Sequence, residues 1–219
     1  MREAGSASAG RGGNRKRQPL PSLRPARDDG QARLSFEVYL VRHGETEWSA
    51  GSRHTGRTDL PLTPRGEEKA TALRPRLAPL QFDAVYSSPM QRARRTAALA
   101  GYPEPQVTPL LMEVDYGDYE GLTTRQIHES KPDWELFKDG CPGGETPVQI
   151  YDRAQQFIAL ASAPEGRVLA FAHGHILRAV GVAWIRAGIT VGAGLMMDVA
   201  TLSVLRDDGP RMIALWNAP

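Results

Sequence analysis

Cysteine is almost absent from this 219-residue chain: Cys141 stands alone, so no intramolecular disulfide can form and a Cys-rich zinc site is excluded. Also missing is any run near the roughly 20 uninterrupted apolar residues of a membrane helix. The basic N-terminal stretch has no apolar segment of the kind a signal peptide carries. No internal repeat is found. A soluble protein of a reducing cytoplasm, without a membrane partner, is the expectation.

Charge of one sign is scarce overall but not locally. Lysine and arginine total 27 against 25 aspartate and glutamate, for a net +2. Residues 1–34 hold eight basic side chains, Arg15-Lys16-Arg17 among them, against three acidic ones, which makes this stretch +5 and the remainder −3. It is rich in Gly, Ser, Pro and Arg and nearly free of aliphatic and aromatic residues, so it cannot bury enough surface to offset the entropy of ordering. The reading is a disordered basic tail over 1–34, solvated rather than bound to nucleic acid. One folded domain over 35–219 follows. With 41% hydrophobic and 24% charged residues the chain is long enough to bury a substantial core.

Apolar periodicity within that domain alternates between strand and helix. Residues 36–41 are apolar and β-rich and run straight into Arg42-His43-Gly44-Glu45. Thr63-Pro64 opens a helix to about residue 80, which Pro75 should kink or end. A strand over 83–87 leads into a Pro89-initiated helix to about 100. Residues 106–111 read as a strand, 113–121 as a loop, and 124–130 as a short helix. The turn-rich run 139–144 precedes a long amphipathic helix over 146–161. A buried strand at 167–172 ends in His173-Gly174-His175, a helix follows over 176–187, and strands near 200–206 and 212–216 close the chain. Such alternation predicts a three-layer α/β/α sandwich with a mostly parallel sheet, whose ligands bind at the carboxyl ends of the strands.

Two histidines, His43 and His173, each lie just past the carboxyl end of a predicted buried strand, and parallel strands bring those ends together. Arg42 precedes the first, and Arg92 sits on the opening turns of a helix at the same rim. The result is a positive pocket suited to an oxyanion, phosphate above all, with helix N-termini near 89 and 176 offering further N–H donors. His175 stands two residues from His173, but no further His or Cys cluster supports a metal. Neither metal nor cofactor is expected.

Four segments, in order, resemble the histidine phosphatase (phosphoglycerate mutase-like, "RHG") superfamily from about residue 36 to 216. Arg42-His43-Gly44-Glu45-Thr46-Glu47-Trp48 resembles its signature, with His43 as the histidine that becomes phosphorylated and Arg42 as a phosphate arginine. Ser87-Ser88-Pro89-Met90-Gln91-Arg92-Ala93 with Thr96 resembles the segment carrying a second phosphate arginine, Arg92. Glu113 is similar to the proton donor, and His173 to the second catalytic histidine. The resemblance implies that neutral His43 attacks phosphorus. Arg42, Arg92 and a protonated His173 then stabilise the equatorial oxygens. Glu113 protonates the leaving alcohol and later deprotonates water.

Ser49 stands where the family's mutases usually carry asparagine, and its hydroxyl is expected to reach phosphate. Only 60 residues separate Glu113 from His173, too few for the long insertion of phosphoglycerate mutases. The segments 115–123 and 139–146 resemble the subgroup of broad acid phosphatases and sedoheptulose bisphosphatases. The expectation is a phosphatase acting on small phosphorylated metabolites, sugar phosphates among them, with Thr55, Gly56 and His175 near the organic part. A mutase moving phosphate between hydroxyls is the alternative within the family, and a non-enzymatic phosphate-binding scaffold the alternative outside it. Homo-oligomerisation is left open.

Overall fold

A computed structural model describes residues 36–164 and 166–219. The basic tail expected over 1–34 lies outside the described residues. In chain order the strands are β1 (Phe36–Arg42), β2 (Ala84–Ser87), β3 (Gln106–Val107), β4 (Arg167–Ala172), β5 (Leu202–Asp207) and β6 (Arg211–Ala218). They form one sheet in the order β3-β2-β4-β1-β5-β6. The first four are mutually parallel, whereas β5 runs antiparallel to β1 and β6 antiparallel to β5. The sheet is therefore mostly parallel, as expected.

The helices are α1 (Glu47–Ala50), α2 (Pro64–Thr71), α3 (Arg74–Leu77), α4 (Gln91–Leu99), α5 (Thr124–Ser130), α6 (Leu136–Asp139), α7 (Pro147–Ala161) and α8 (Gly174–Trp184). Successive strand side chains point to opposite faces, so β1 divides its apolar residues between two cores. Val38 and Leu40 pack with Ile150, Ala154 and Phe157 of α7 and with Ile176, Leu177 and Val180 of α8. Tyr39 and Val41 pack with Leu73, Leu77, Ala97 and Ala100 from the other side. These are the three layers, with helices on both faces of the sheet.

Three predicted elements differ from the structure for backbone reasons. The helix expected over 63–80 is two pieces, α2 and α3, broken at Ala72–Leu73. Pro75 has no N–H for the carbonyl of Thr71, so the break falls a turn before the proline rather than at it. The strand expected over 106–111 pairs only at Gln106–Val107, after which Pro109 opens a short 3-10 turn capped by Thr108. The last long helix begins at Gly174, two residues earlier than the sequence suggested, because His173 itself takes the extended N-cap conformation. His173 and His175 thus stand at a strand-to-helix junction, where the end of β4 lies beside the end of β1. Among the described residues no helix is long and apolar enough to cross a membrane.

Candidate active site

Parallel pairing sets the geometry. Arg42 registers with Ala172 across β1 and β4, and the amide of His43 donates to the carbonyl of Ala172 at 2.9 Å. The two histidines that follow these strands are thereby neighbours, with ring centroids 5.0 Å apart. Gly44 makes the next turn possible: a Cβ there would fall 2.4 Å from the carbonyl oxygen of Gly66 at the start of α2. Its amide donates to Thr96 Oγ on α4 at 2.9 Å. The amide of Ala200 donates to the carbonyls of both Arg42 and His43 at 3.1 Å. His43 is thus held from three elements distant in sequence.

Hydrogen-bond partners fix the state of each ring. Nδ1 of His43 lies 2.7 Å from the carbonyl of Gly44, which can only accept, so Nδ1 carries the proton and Nε2 is bare. Burial, with Arg42 and Arg92 close by, holds this imidazole well below its ordinary value of 6.5. His173 is neutral with the opposite tautomer. Its Nδ1 accepts from Nε–H of Arg92 at 3.0 Å, which leaves the proton on Nε2 to donate to Ser88 Oγ at 2.8 Å. Burial and the same cations push it well below 6.5 as well. The protonated His173 expected from sequence is corrected accordingly: a ring nitrogen that accepts from a guanidinium cannot also hold a proton.

The arginines divide their work. Arg42 donates Nη1–H to the carbonyl of Met197, while its buried Nε has no partner among the described residues. Arg92 is fully buried and spends its fork on the carbonyls of Thr55, Gly56 and Thr58 at 2.8–3.1 Å. It thereby ties α4, His173 and the 55–58 loop together, with its donors bonded to protein groups, where the sequence reading has it hold phosphate. Ser49 is likewise committed, accepting from the Thr46 amide at 2.8 Å and donating to the Thr46 carbonyl at 3.0 Å as part of the α1 cap.

Glu113 is buried beneath α8. Its Oε1 accepts from the amides of Val114 and Ile176 at 2.9 Å, and Oε2 from the amide of His175 at 3.0 Å. The helix N-terminus expected to offer donors to phosphate is thus capped by the chain's own carboxylate. The α4 N-terminus is similarly engaged, since the amide of Gln91 donates to Asp59 at 2.9 Å. Oε2 retains a lone pair that no described donor meets, so one oxygen of Glu113 is available to hold or take a proton.

A cavity of about 320 Å³ opens among these groups, lined by Arg42, His43, Ser49, Thr55, Glu113, His175 and others. Gly56 does not line it, because its amide is bonded to Glu120 and its carbonyl to Arg92. His173 and Arg92 are not among its lining residues, although the His173 ring lies 5.0 Å from that of His43. A larger cavity of about 430 Å³, between Leu62, Arg94 and Pro103, holds no histidine and no buried carboxylate. Sequence reasoning passed over Tyr116, Arg178, Met197 and Asp198. Tyr116 Oη lies 2.6 Å from Nδ1 of His175, and burial keeps that phenol well above 10 and that imidazole well below 6.5. Arg178 follows His175 by three residues on α8, the same-face spacing that would have revealed it. Met197 and Asp198 arrive through tertiary structure alone. Among the described residues no group of three His, Cys, Asp or Glu is placed to hold a metal.

An α/β sheet with bare imidazole, guanidinium and carboxyl groups gathered at its carboxyl edge defines a protein suited to phosphate-ester chemistry. The chain belongs to the histidine phosphatase superfamily, branch 1, whose model matches residues 38–219. It is 42% identical over 186 residues to an acid phosphatase of Mycobacterium tuberculosis, covering 83% of this chain and 92% of that one. It is 34% identical over 208 residues to sedoheptulose 1,7-bisphosphatase of Saccharomyces cerevisiae, covering 80% and 77%. A solved structure of an open reading frame from M. tuberculosis superposes with a TM-score of 0.81 at 41% identity, covering 84% of this chain and 97% of that one.

Proposed function

We propose that this protein hydrolyses small phosphate monoesters, sugar phosphates among them, through a phosphohistidine at His43. The observation that carries the reading is the state of that ring: buried, neutral, with Nδ1 tied to Gly44 and Nε2 bare beside a cavity lined by Arg42 and Glu113. Nε2 forms a bond to phosphorus as the ester oxygen departs, and Glu113 Oε2 gives that oxygen its proton. Arg42, whose Nε has no partner among the described residues, meets the equatorial oxygens. Arg92 contributes its fixed charge and its hold on His173, and His173 contributes Nε2–H, which exchanges Ser88 for a phosphoryl oxygen. Ser49 borders the phosphate, and Thr55 and His175 border the organic part. In the second step Glu113 takes a proton from water, the water oxygen attacks phosphorus, and the N–P bond breaks to free His43 and inorganic phosphate.

Two relatives named as phosphatases and the short Glu113-to-His173 connection support hydrolysis over transfer to a second hydroxyl. The test is a panel of phosphorylated metabolites scored by inorganic phosphate release in the presence of EDTA, with His43→Ala alongside. The expected result is release by the native protein and a loss of at least about a thousandfold in the variant. Undiminished release by His43→Ala overturns the proposal.

A further inference from the structure

We propose that Arg153 and Glu145 are positioning residues for the proton donor, an inference that rests on the reading of Glu113 in that role. Arg153 stands in the second turn of α7, a 15-residue helix whose capping box and buried face anchor it to the core. Its guanidinium forks onto Glu145, with Nε to Oε1 and Nη2 to Oε2 both at 2.8 Å. The same guanidinium donates from Nη1 to the carbonyls of Leu110 at 3.1 Å and Met112 at 2.6 Å, and from Nη2 to the carbonyl of Glu113 at 3.4 Å. Glu145 completes the clamp from beyond the donor: its Oε2 accepts from the Asp115 amide at 2.8 Å, and its own amide donates to the Asp115 carbonyl at 2.9 Å.

The backbone on both sides of Glu113 is therefore held by one ion pair, each partner of which is only 15% exposed. No regular element does this work, because residues 112–116 belong to neither helix nor strand. Glycine makes the approach possible: a Cβ on Gly144 would meet the Asp115 carbonyl oxygen at 2.2 Å. Neither Arg153 nor Glu145 lines the cavity, and both side chains are spent on each other and on backbone. Lysine at 153 keeps the charge but cannot fork and reach three carbonyls at once. Its effect falls on where the Glu113 carboxyl sits rather than on phosphate binding.

Leaving-group dependence isolates that effect, since a dinitrophenolate departs without a proton and a methoxide does not. The burst of methanol or dinitrophenolate that accompanies the first phosphorylation of His43, before water enters, is measured by rapid quench with methyl phosphate and with 2,4-dinitrophenyl phosphate, for the native protein, Glu113→Gln, Arg153→Lys and Glu145→Gln. Glu113→Gln should lose about a thousandfold on methyl phosphate and stay within about fivefold on the dinitrophenyl ester. Arg153→Lys and Glu145→Gln should lose about a hundredfold and about threefold respectively on those two esters, with inhibition by inorganic phosphate unchanged. A retained burst of dinitrophenolate is itself the evidence that a variant has folded. Selective loss in Glu113→Gln, with equal losses on both esters or none in the clamp variants, overturns the positioning role. Unselective behaviour of Glu113→Gln overturns the donor assignment beneath it. If Arg153→Lys does not fold, Glu145→Gln is held to the same outcomes.

Discussion

Replacing Gly44 by alanine tests the physical link between backbone packing and the state of His43. The added Cβ would stand 2.4 Å from the Gly66 carbonyl oxygen, 3.0 Å from its carbon and 3.2 Å from its Cα. Every opposing atom is backbone, and Gly66 is itself pressed so close to the Glu45 carbonyl that its own Cβ would lie 2.2 Å away. Neither side can yield by a rotamer change. Restoring ordinary contact requires about 1 Å of separation between residues 43–45 and the first turn of α2. That movement stretches two bonds at once, Nδ1–H of His43 to the Gly44 carbonyl and the Gly44 amide to Thr96. A displacement of about 1 Å at the nucleophile costs about a hundredfold in rate, and overpacking costs about 1–3 kcal/mol of stability. The assay is kcat/KM for phosphate release, with a urea titration of the same sample. Activity within about threefold of native at native stability would refute the reasoning, since the ring would then tolerate loss of its tether.

Acidification is the second perturbation. His43, His173 and His175 are all held well below 6.5 in the native state, chiefly by burial. The unfolded chain binds protons near pH 6.5 that the folded chain refuses, so stability is intact above about pH 7 and falls as pH drops below 6.5. Each such group contributes a slope of up to about 1.4 kcal/mol per pH unit. Urea midpoints should be lower at pH 5.5 than at pH 7.5, and an equal or higher midpoint at pH 5.5 contradicts the burial argument. In the core, Phe157 is fully buried and meets Tyr86 edge-on at 6.2 Å. Phe157→Ala should cost about 3–5 kcal/mol in urea unfolding, and a loss under about 1 kcal/mol would show that the cavity collapses freely.

Most of what brings the site together was legible before any coordinates, for a definite reason. His43 and His173 follow buried strands, and such strands announce themselves as apolar β-branched runs with polar residues immediately after. Parallel pairing then does the rest, and α/β alternation predicts it. Helices α1 and α6, four residues each, are too short to show a period. The reach of the 106–111 strand was overread because Pro109 removes a donor that apolar character does not reveal. Arg178 was within reach of helical spacing, whereas Met197 and Asp198 follow a 3-10 segment with no pattern of its own. The protonation of His173 was misread for a different reason. A tautomer is set by the partner of each ring nitrogen, here Arg92 and Ser88, and sequence names candidates without pairing them.

Chemical trapping of the intermediate bears most directly on the role given to His43. Protein mixed with a radiolabelled phosphomonoester and quenched in alkali within one turnover should carry label that survives base, is lost in acid, and maps to residue 43. The label should be absent from His43→Asn. Steady release of phosphate with no covalent label at any quench time, or label mapping to another residue, would contradict the account.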